Sequence, residues 1–189
     1  ELFPSYPKVN HALFQRYNNS STIGMHSDKT KDMPKGLFLI VFVTFYDTDV
    51  NDDSLAKLVF IKKDDDNFKR SPALTKDMDI EHNLGIHDII IPARNGSVVI
   101  TTNYINEQYT HTIIPPKCGV VRSSYTMRTS DVVADVSSDG IVSVDGNMMC
   151  KALGDVKKKI YELYWLENSL TTRVDYSEVP NNVSLNKGD

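Results

Sequence analysis

Two histidine-bearing patterns and a pair of arginines are the residues of this 189-residue chain whose types and spacing bear on chemistry. The first pattern is His26-Ser27-Asp28. Residues two apart on an extended segment share a face, so this imidazole and carboxylate are aimed in one direction. Alone, such a triplet carries little, because a histidine near an aspartate is usually a surface hydrogen-bonded pair. The second pattern is His111, followed after eleven residues by Arg122 and six further on by Arg128. Two histidines and one carboxylate make the facial set that holds Fe(II) and leaves coordination positions free for chemistry. An arginine supplies a planar fork that clamps a carboxylate bidentately, a geometry lysine lacks. Val120, Arg122 and Ser124 share one face of an alternating run, which points Arg122 inward, and a buried guanidinium demands an anionic partner.

A frame has to bring positions 26, 111 and 122 together. Strand-like runs recur at His11 to Tyr17, Leu37 to Tyr46, Lys57 to Ile61, Asp88 to Ile91, Ser97 to Thr101, Tyr109 to Ile114 and Val120 to Met127, with a further pair at Val132 to Val136 and Ile141 to Val144. Asn, Asp, Gly and Pro punctuate them, and Asn95-Gly96 and Asp139-Gly140 suggest hairpins. Such a series fits a mainly β fold of the double-sheet jelly-roll kind. Met149, Leu153, Val156, Ile160 and Leu163 recur at helical spacing while Lys157, Lys158 and Lys159 crowd the other face. That pattern predicts an amphipathic helix over about 149–167, packed outside on a sheet. The stretch 64–85 carries charge and Pro72 and reads as a surface excursion. The run 178–189 reads as a frayed, flexible tail.

The length suits one domain over 1–189, with its core at about 10–129 and a strand pair and helix at 130–168. With 40% hydrophobic and 24% charged residues the composition is that of a folded globular chain. The longest apolar run, Leu37 to Phe45, is too short to cross a bilayer as a helix, so no membrane partner is expected. A net charge of −4 gives no global basic field toward nucleic acid, although a local basic groove is compatible with it. Cys118 and Cys150 stand far apart with no C-x-x-C spacing, which indicates neither a zinc cluster nor a disulfide framework and favours a reducing compartment. Four N-x-[ST] triplets begin at Asn18, Asn19, Asn95 and Asn182, but glycosylation requires a secretory route that nothing else supports. An intracellular location, nuclear or cytoplasmic, is therefore expected. The chain opens on Glu1 with no leader and reads as an excised fragment.

Several segments carry a resemblance in the same order. Leu13 to Asp28, L-F-Q-R-Y-N-N-S-S-T-I-G-M-H-S-D, resembles the N-x-Y and H-x-D segment of the AlkB family of Fe(II)/2-oxoglutarate-dependent dioxygenases. Asn95-Gly96-Ser97-Val98-Val99-Ile100 resembles that family's Gly-Ser strand, Gln108-Tyr109-Thr110-His111 its distal-histidine strand, and Arg122 to Arg128 its closing R-x5-R motif. The likeness spans roughly residues 10 to 129.

The resemblance implies a double-stranded β-helix with Fe(II), 2-oxoglutarate and O2 inside. It makes His26, Asp28 and His111 the metal ligands and Arg122 the partner of the 2-oxoglutarate C5 carboxylate. Tyr17 matches the tyrosine that hydrogen-bonds the same cosubstrate, and Arg128 the arginine near the metal-binding aspartate and the C1 carboxylate. Gln15 departs from the pattern, standing where the family usually has Asn. The implied reaction couples decarboxylation of 2-oxoglutarate to succinate with hydroxylation of a substrate C–H. On an N-methyl group the product collapses with release of formaldehyde, whereas on a ring-carbon methyl the hydroxymethyl persists. The implied substrate is nucleic acid, DNA or RNA, by oxidative N-demethylation. Alternatives are a TET/JBP-like hydroxylase of 5-methylcytosine or thymine, a protein or small-molecule hydroxylase, and a catalytically silent jelly-roll binding module. The family's base-reading lid precedes the N-x-Y segment, and only about a dozen residues of this chain do. Tyr104, Asn106 and Tyr109, near His111, are candidates for contact with a flipped base, and Lys29, Lys31 and Lys35 for contact with phosphate.

Overall fold

The structure, a computed structural model, describes residues 8–18, 23–63, 86–116, 120–139 and 142–185. Their elements run β1 (His11–Tyr17), β2 (Leu39–Tyr46), β3 (Lys57–Lys62), β4 (Ile89–Pro92), β5 (Val98–Thr102), α1 (Asn103–Gln108), β6 (Tyr109–Ile114), β7 (Arg122–Arg128), β8 (Ala134–Val136), β9 (Val142–Val144), β10 (Asn147–Met148), β11 (Cys150–Lys151), α2 (Gly154–Ser169) and β12 (Val183–Ser184). The protein is mainly β, built from antiparallel sheets, with one long helix near the C-terminus. No helix among the described residues is long and apolar enough to cross a membrane.

A four-stranded sheet in the order β1-β7-β2-β5 faces a three-stranded sheet in the order β4-β3-β6. Phe42 on β2 meets Phe60 on β3 edge-on at 6.4 Å and His111 on β6 at 5.2 Å, which fixes the two sheets face to face. Strand alternation decides what enters the space between them. On β7, positions 122, 124, 126 and 128 have the same parity, so both arginines point to the inner side. The register then sets their neighbours: Tyr17 and Tyr46 flank Arg122, and Gln15 and Thr44 flank Ser124. Opposite them, Phe60 pairs with His111 and Leu58 with Ile113.

Two turns differ from the sequence expectation. Asn95-Gly96 closes no hairpin but carries the chain from β4 in one sheet to β5 in the other. Gly96, at φ 71°, donates to Thr44 O, and Asn95 Oδ1 accepts from Tyr46 N, so the turn is fastened to β2. The β8–β9 pair forms as expected for a hairpin at Asp139-Gly140, although Gly140 lies outside the described residues. A tighter hairpin escaped the sequence reading: Asp145 and Gly146, at φ 51° and 74°, join β9 to β10 with the paired positive-φ backbone of a two-residue turn.

The C-terminal region has its own core, in which Ala152, Ile160 and Leu163 meet Val174, Tyr176, Val179 and Leu185. The helix starts at Gly154 rather than near 149, because Cys150 and Lys151 are held in parallel pairing with Val183 and Ser184. The predicted apolar stripe is consequently only half used: Leu153 is 73% exposed, and the covered positions are Ile160, Leu163 and Glu167. The expected frayed tail does not hold for 178–185, since Val179 and Leu185 are buried and Val183 is paired. The surface excursion at 64–85 and Cys118 lie outside the described residues.

Candidate functional site

The seven residues singled out from the sequence, His26, Asp28, His111, Arg122, Tyr17, Arg128 and Gln15, line one cavity between the two sheets. Its volume is about 80 Å³, and at about 10–15 Å³ per water it has room for a small ligand of several heavy atoms. A wider groove shares Leu13, Ile23, His26, Asp28 and Arg128 with this cavity and opens toward α2 and the β8–β10 sheet.

His26 is brought to His111 by the backbone. The segment bearing it forms a single antiparallel bridge on the free edge of β6, with His26 N donating to His111 O at 3.0 Å and His111 N to His26 O at 2.7 Å. The two rings stand 4.4 Å apart by centroid. His26 Nδ1 lies 2.6 Å from Gly24 O, which as donor to that carbonyl leaves Nε2 with a lone pair for a ligand. Asp28, two residues on, presents Oδ2 to His111 Nε2 at 3.9 Å, inside the roughly 4.2 Å that two ligands of one ion can span. Burial pushes the His111 imidazole down to about 3, with the neighbouring His26 acting in the same direction, so the ring is held neutral and able to donate a lone pair. Among the described residues no three His, Cys, Asp or Glu side chains close into a ready metal-binding group. Asp28 and His111 face each other, and the His26 ring lies alongside.

The carboxylate has one oxygen placed and one free. Arg128 Nη1 donates to Asp28 Oδ1 at 3.3 Å, whereas buried Asp28 Oδ2 has no hydrogen-bond partner among the described residues. Across the cavity, Arg122 is 2% exposed, and its Nε and Nη2 are likewise without a partner. Its guanidinium carbon lies 4.2 Å from the Tyr17 ring centroid. Burial lowers the Arg122 pKa, with the Tyr17 and Tyr46 hydroxyl groups opposing. Tyr17 donates its hydroxyl to Gln15 Oε1 at 2.7 Å, so the longer amide at position 15 reaches the tyrosine. Tyr46, the other flanking tyrosine, is satisfied within the core by Ala93 O and Ala56 N.

A buried cation with two unmet nitrogens and a buried carboxylate oxygen without a partner are each expensive, at about 1–3 kcal/mol per orphaned group. The arrangement is complementary to a ligand with an anionic end for Arg122 and to a cation for the Asp28–His111 side.

Asn106 departs from the expectation that it meets a base. It is 4% exposed, its Oδ1 accepts from Asp28 N at 2.8 Å, and its Nδ2 donates to Asp28 O at 2.9 Å. Both halves of the amide are thereby engaged. Its place inside α1, a helix the sequence did not announce, explains the role, since asparagine is disfavoured there unless its side chain bonds elsewhere. Lys31 is no solvated phosphate contact either, since its side chain is 7% exposed and donates to Asp32 and to Asn181 O.

No family model matches the chain, and no curated protein matches it. A solved structure described as "Bacillus endospore appendages form a novel family of disulfide-linked pili" is similar over 64% of this chain and 85% of that chain, at 13% identity and a TM-score of 0.31. Likeness at that level carries no argument about fold or activity.

Proposed function

We propose that the chain is an AlkB-like Fe(II)/2-oxoglutarate-dependent dioxygenase whose facing sheets form a double-stranded β-helix, and that it demethylates nucleic-acid bases oxidatively. The observation that carries this reading is the pair of orphaned groups in one cavity: the Arg122 guanidinium on one wall and Asp28 Oδ2, beside His111, on the other. The donor chemistry fits the group, with the imidazoles of His26 and His111 and the Asp28 carboxylate making a two-histidine, one-carboxylate set. When bound, ferrous iron and 2-oxoglutarate supply, with O2, the oxidation of a substrate C–H and yield succinate and carbon dioxide.

The chain's own residues bind and orient. Arg122 receives the distal carboxylate of the dicarboxylate in a water-poor pocket, where its two free donors form a charge-assisted pair. Tyr17 lies against that guanidinium and limits its swing, and its hydroxyl, which donates to Gln15 in the ligand-free protein, would exchange that bond for one to the carboxylate. Arg128 fixes one Asp28 oxygen so that the other is directed toward His111. Substrate reaches this end through the open groove that shares His26, Asp28 and Arg128 with the cavity.

The silent-module reading draws on a specific observation as well, the incomplete convergence of three donors among the described residues. Succinate formation by wild type, His26→Ala and Arg122→Ala separates the two. Loss in both variants is expected, and equal yields from all three proteins would end the enzyme reading. Mass spectrometry of methylated DNA, RNA and nucleosides after incubation then distinguishes formaldehyde release from a retained hydroxymethyl group, the outcome for a TET/JBP-like hydroxylase.

A further inference from the structure

We infer that Asn106 and Asn168 are positioning residues that hold the backbone of the His26–Asp28 segment in its ligand-bearing conformation. The inference rests on the proposed metal reading for its purpose, not for its geometry.

The segment has little regular structure of its own. After the single bridge at His26 no ladder continues, although Ser27, Asp28 and Thr30 are all buried. Buried amides without a ladder must find other acceptors. Here each finds a side chain: Ser27 N donates to Asn168 Oδ1 at 2.6 Å, Asp28 N to Asn106 Oδ1 at 2.8 Å, and Thr30 N to the Glu167 carboxylate at 3.1 and 3.2 Å. The acceptors come from α1 and from the C-terminal end of α2, up to 141 residues away in sequence.

Asparagine is the residue this task requires. Asp28 offers an N–H and a C=O to the same neighbour, and one planar amide answers both from separate atoms, as an ionised carboxylate, which only accepts, does not. At position 168 the amide is divided, with Oδ1 accepting from Ser27 and Nδ2 donating to Tyr164 O at 2.7 Å within α2. The two elements that carry these asparagines are themselves stapled together. Lys63 Nζ donates to the main-chain oxygens of Asn106, Glu167 and Leu170 at 3.1, 2.7 and 3.2 Å, which locks α1 to the end of α2. Neither asparagine lines the inner cavity. Their effect passes through the peptide planes that set where the His26 and Asp28 side chains leave the backbone. Supporting partners of this kind are typically worth about 10–100-fold in metal affinity.

The test uses the full chain and has two readouts. In metal-free protein, amide hydrogen exchange at Ser27 and Asp28 is compared for wild type, Asn106→Ala, Asn168→Ala and Asn168→Asp. Exchange at Asp28 is expected to quicken by about tenfold or more in the first variant and at Ser27 in the second. Asn168→Asp, which keeps the acceptor, restores protection at Ser27. Co(II) affinity, followed by calorimetry, is expected to fall about 10–100-fold in both alanine variants. A control variant in a separate core cluster, Leu55→Ala, keeps wild-type affinity although it is less stable. Asn106→Ser carries the comparison should Asn106→Ala fail to fold. Wild-type exchange at Ser27 and Asp28 in the folded variants overturns the inference, as does unchanged Co(II) affinity. Failure of wild type itself to bind Co(II) instead overturns the metal reading and leaves the exchange experiment to decide whether the clamp exists.

Discussion

The Arg122 guanidinium stands 4.2 Å from the ring centroid of Tyr17, its neighbour in register across β1 and β7, while its Nε and Nη2 have no partner among the described residues. The aromatic face supports the cation, and the Tyr17 hydroxyl favours its charged form as well. A buried charge so incompletely satisfied lowers the stability of the ligand-free protein.

Replacing that cation is therefore expected to have opposite effects on stability and on the proposed activity. Arg122→Met is expected to raise the unfolding free energy of the ligand-free protein by about 1–3 kcal/mol, because an unpaired buried group is exchanged for an apolar chain of similar length. The same variant is expected to form no succinate and to show no thermal shift with 2-oxoglutarate. Urea unfolding and a thermal-shift titration check the two halves. A destabilised Arg122→Met would show that the guanidinium is satisfied in the ligand-free state.

Removal of the Tyr17 hydroxyl should act on cosubstrate binding and leave the fold intact. Tyr17→Phe keeps the ring against Arg122 but loses the hydrogen bond to Gln15, a contact of about 0.5–1.5 kcal/mol. The KM for 2-oxoglutarate is expected to rise about 2–10-fold with kcat little changed. Steady-state succinate assays decide it, and an unaltered KM would place the hydroxyl away from the dicarboxylate.

His111 should leave a signature in acid stability. Burial, with His26 beside it, moves its pKa from 6.5 in the ordinary state down to about 3. Between those values the unfolded chain takes up a proton that the folded protein refuses. The unfolding free energy of metal-free protein thus falls as pH is lowered through that window, by up to about 1.4 kcal/mol per unit from this group. His111→Asn lacks the proton uptake, and its stability-versus-pH curve is expected to be flatter there by up to one proton. Parallel curves from urea denaturation would mean that the ring is protonated in the native state.

The C-terminal core makes a plainer prediction. Ile160 is 1% exposed at the centre of the cluster that joins α2 to Val174, Tyr176, Val179 and Leu185. Truncation to alanine removes apolar contacts and leaves a cavity, so Ile160→Ala is expected to lower stability by about 2–4 kcal/mol in urea unfolding. A loss below about 0.5 kcal/mol would show that the helix is not docked by this residue.

Much of the strand framework was legible in the sequence, because alternation and turn residues are local signals. β1 and β6 occur at the expected residues, and β2, β3, β4, β5 and β7 within two residues of them. Alternation alone put Val120, Arg122 and Ser124 on one face, and the extension of β7 to Arg128 adds the second arginine to it, since six is an even step along a strand. The stripe Met149 to Leu163 was misleading at its start because periodicity does not reveal that Cys150 and Lys151 pair with Val183 and Ser184. In the same way, Asn95-Gly96 has the composition of a hairpin turn, and only the partners of β4 and β5 show that it changes sheets.

The sequence by itself determined which side chains are chemically capable, the two imidazoles, the carboxylate and the arginine fork, and which of them share a strand face. That follows from covalent spacing and the two-residue period. The tertiary structure alone decided that Asp28 Oδ2 and Arg122 Nε and Nη2 remain without partners among the described residues in one cavity, and that amides from α1 and α2 hold the His26–Asp28 segment. Those facts depend on contacts between residues as much as 141 positions apart, for which no local pattern exists, because burial and pairing are properties of the packed chain.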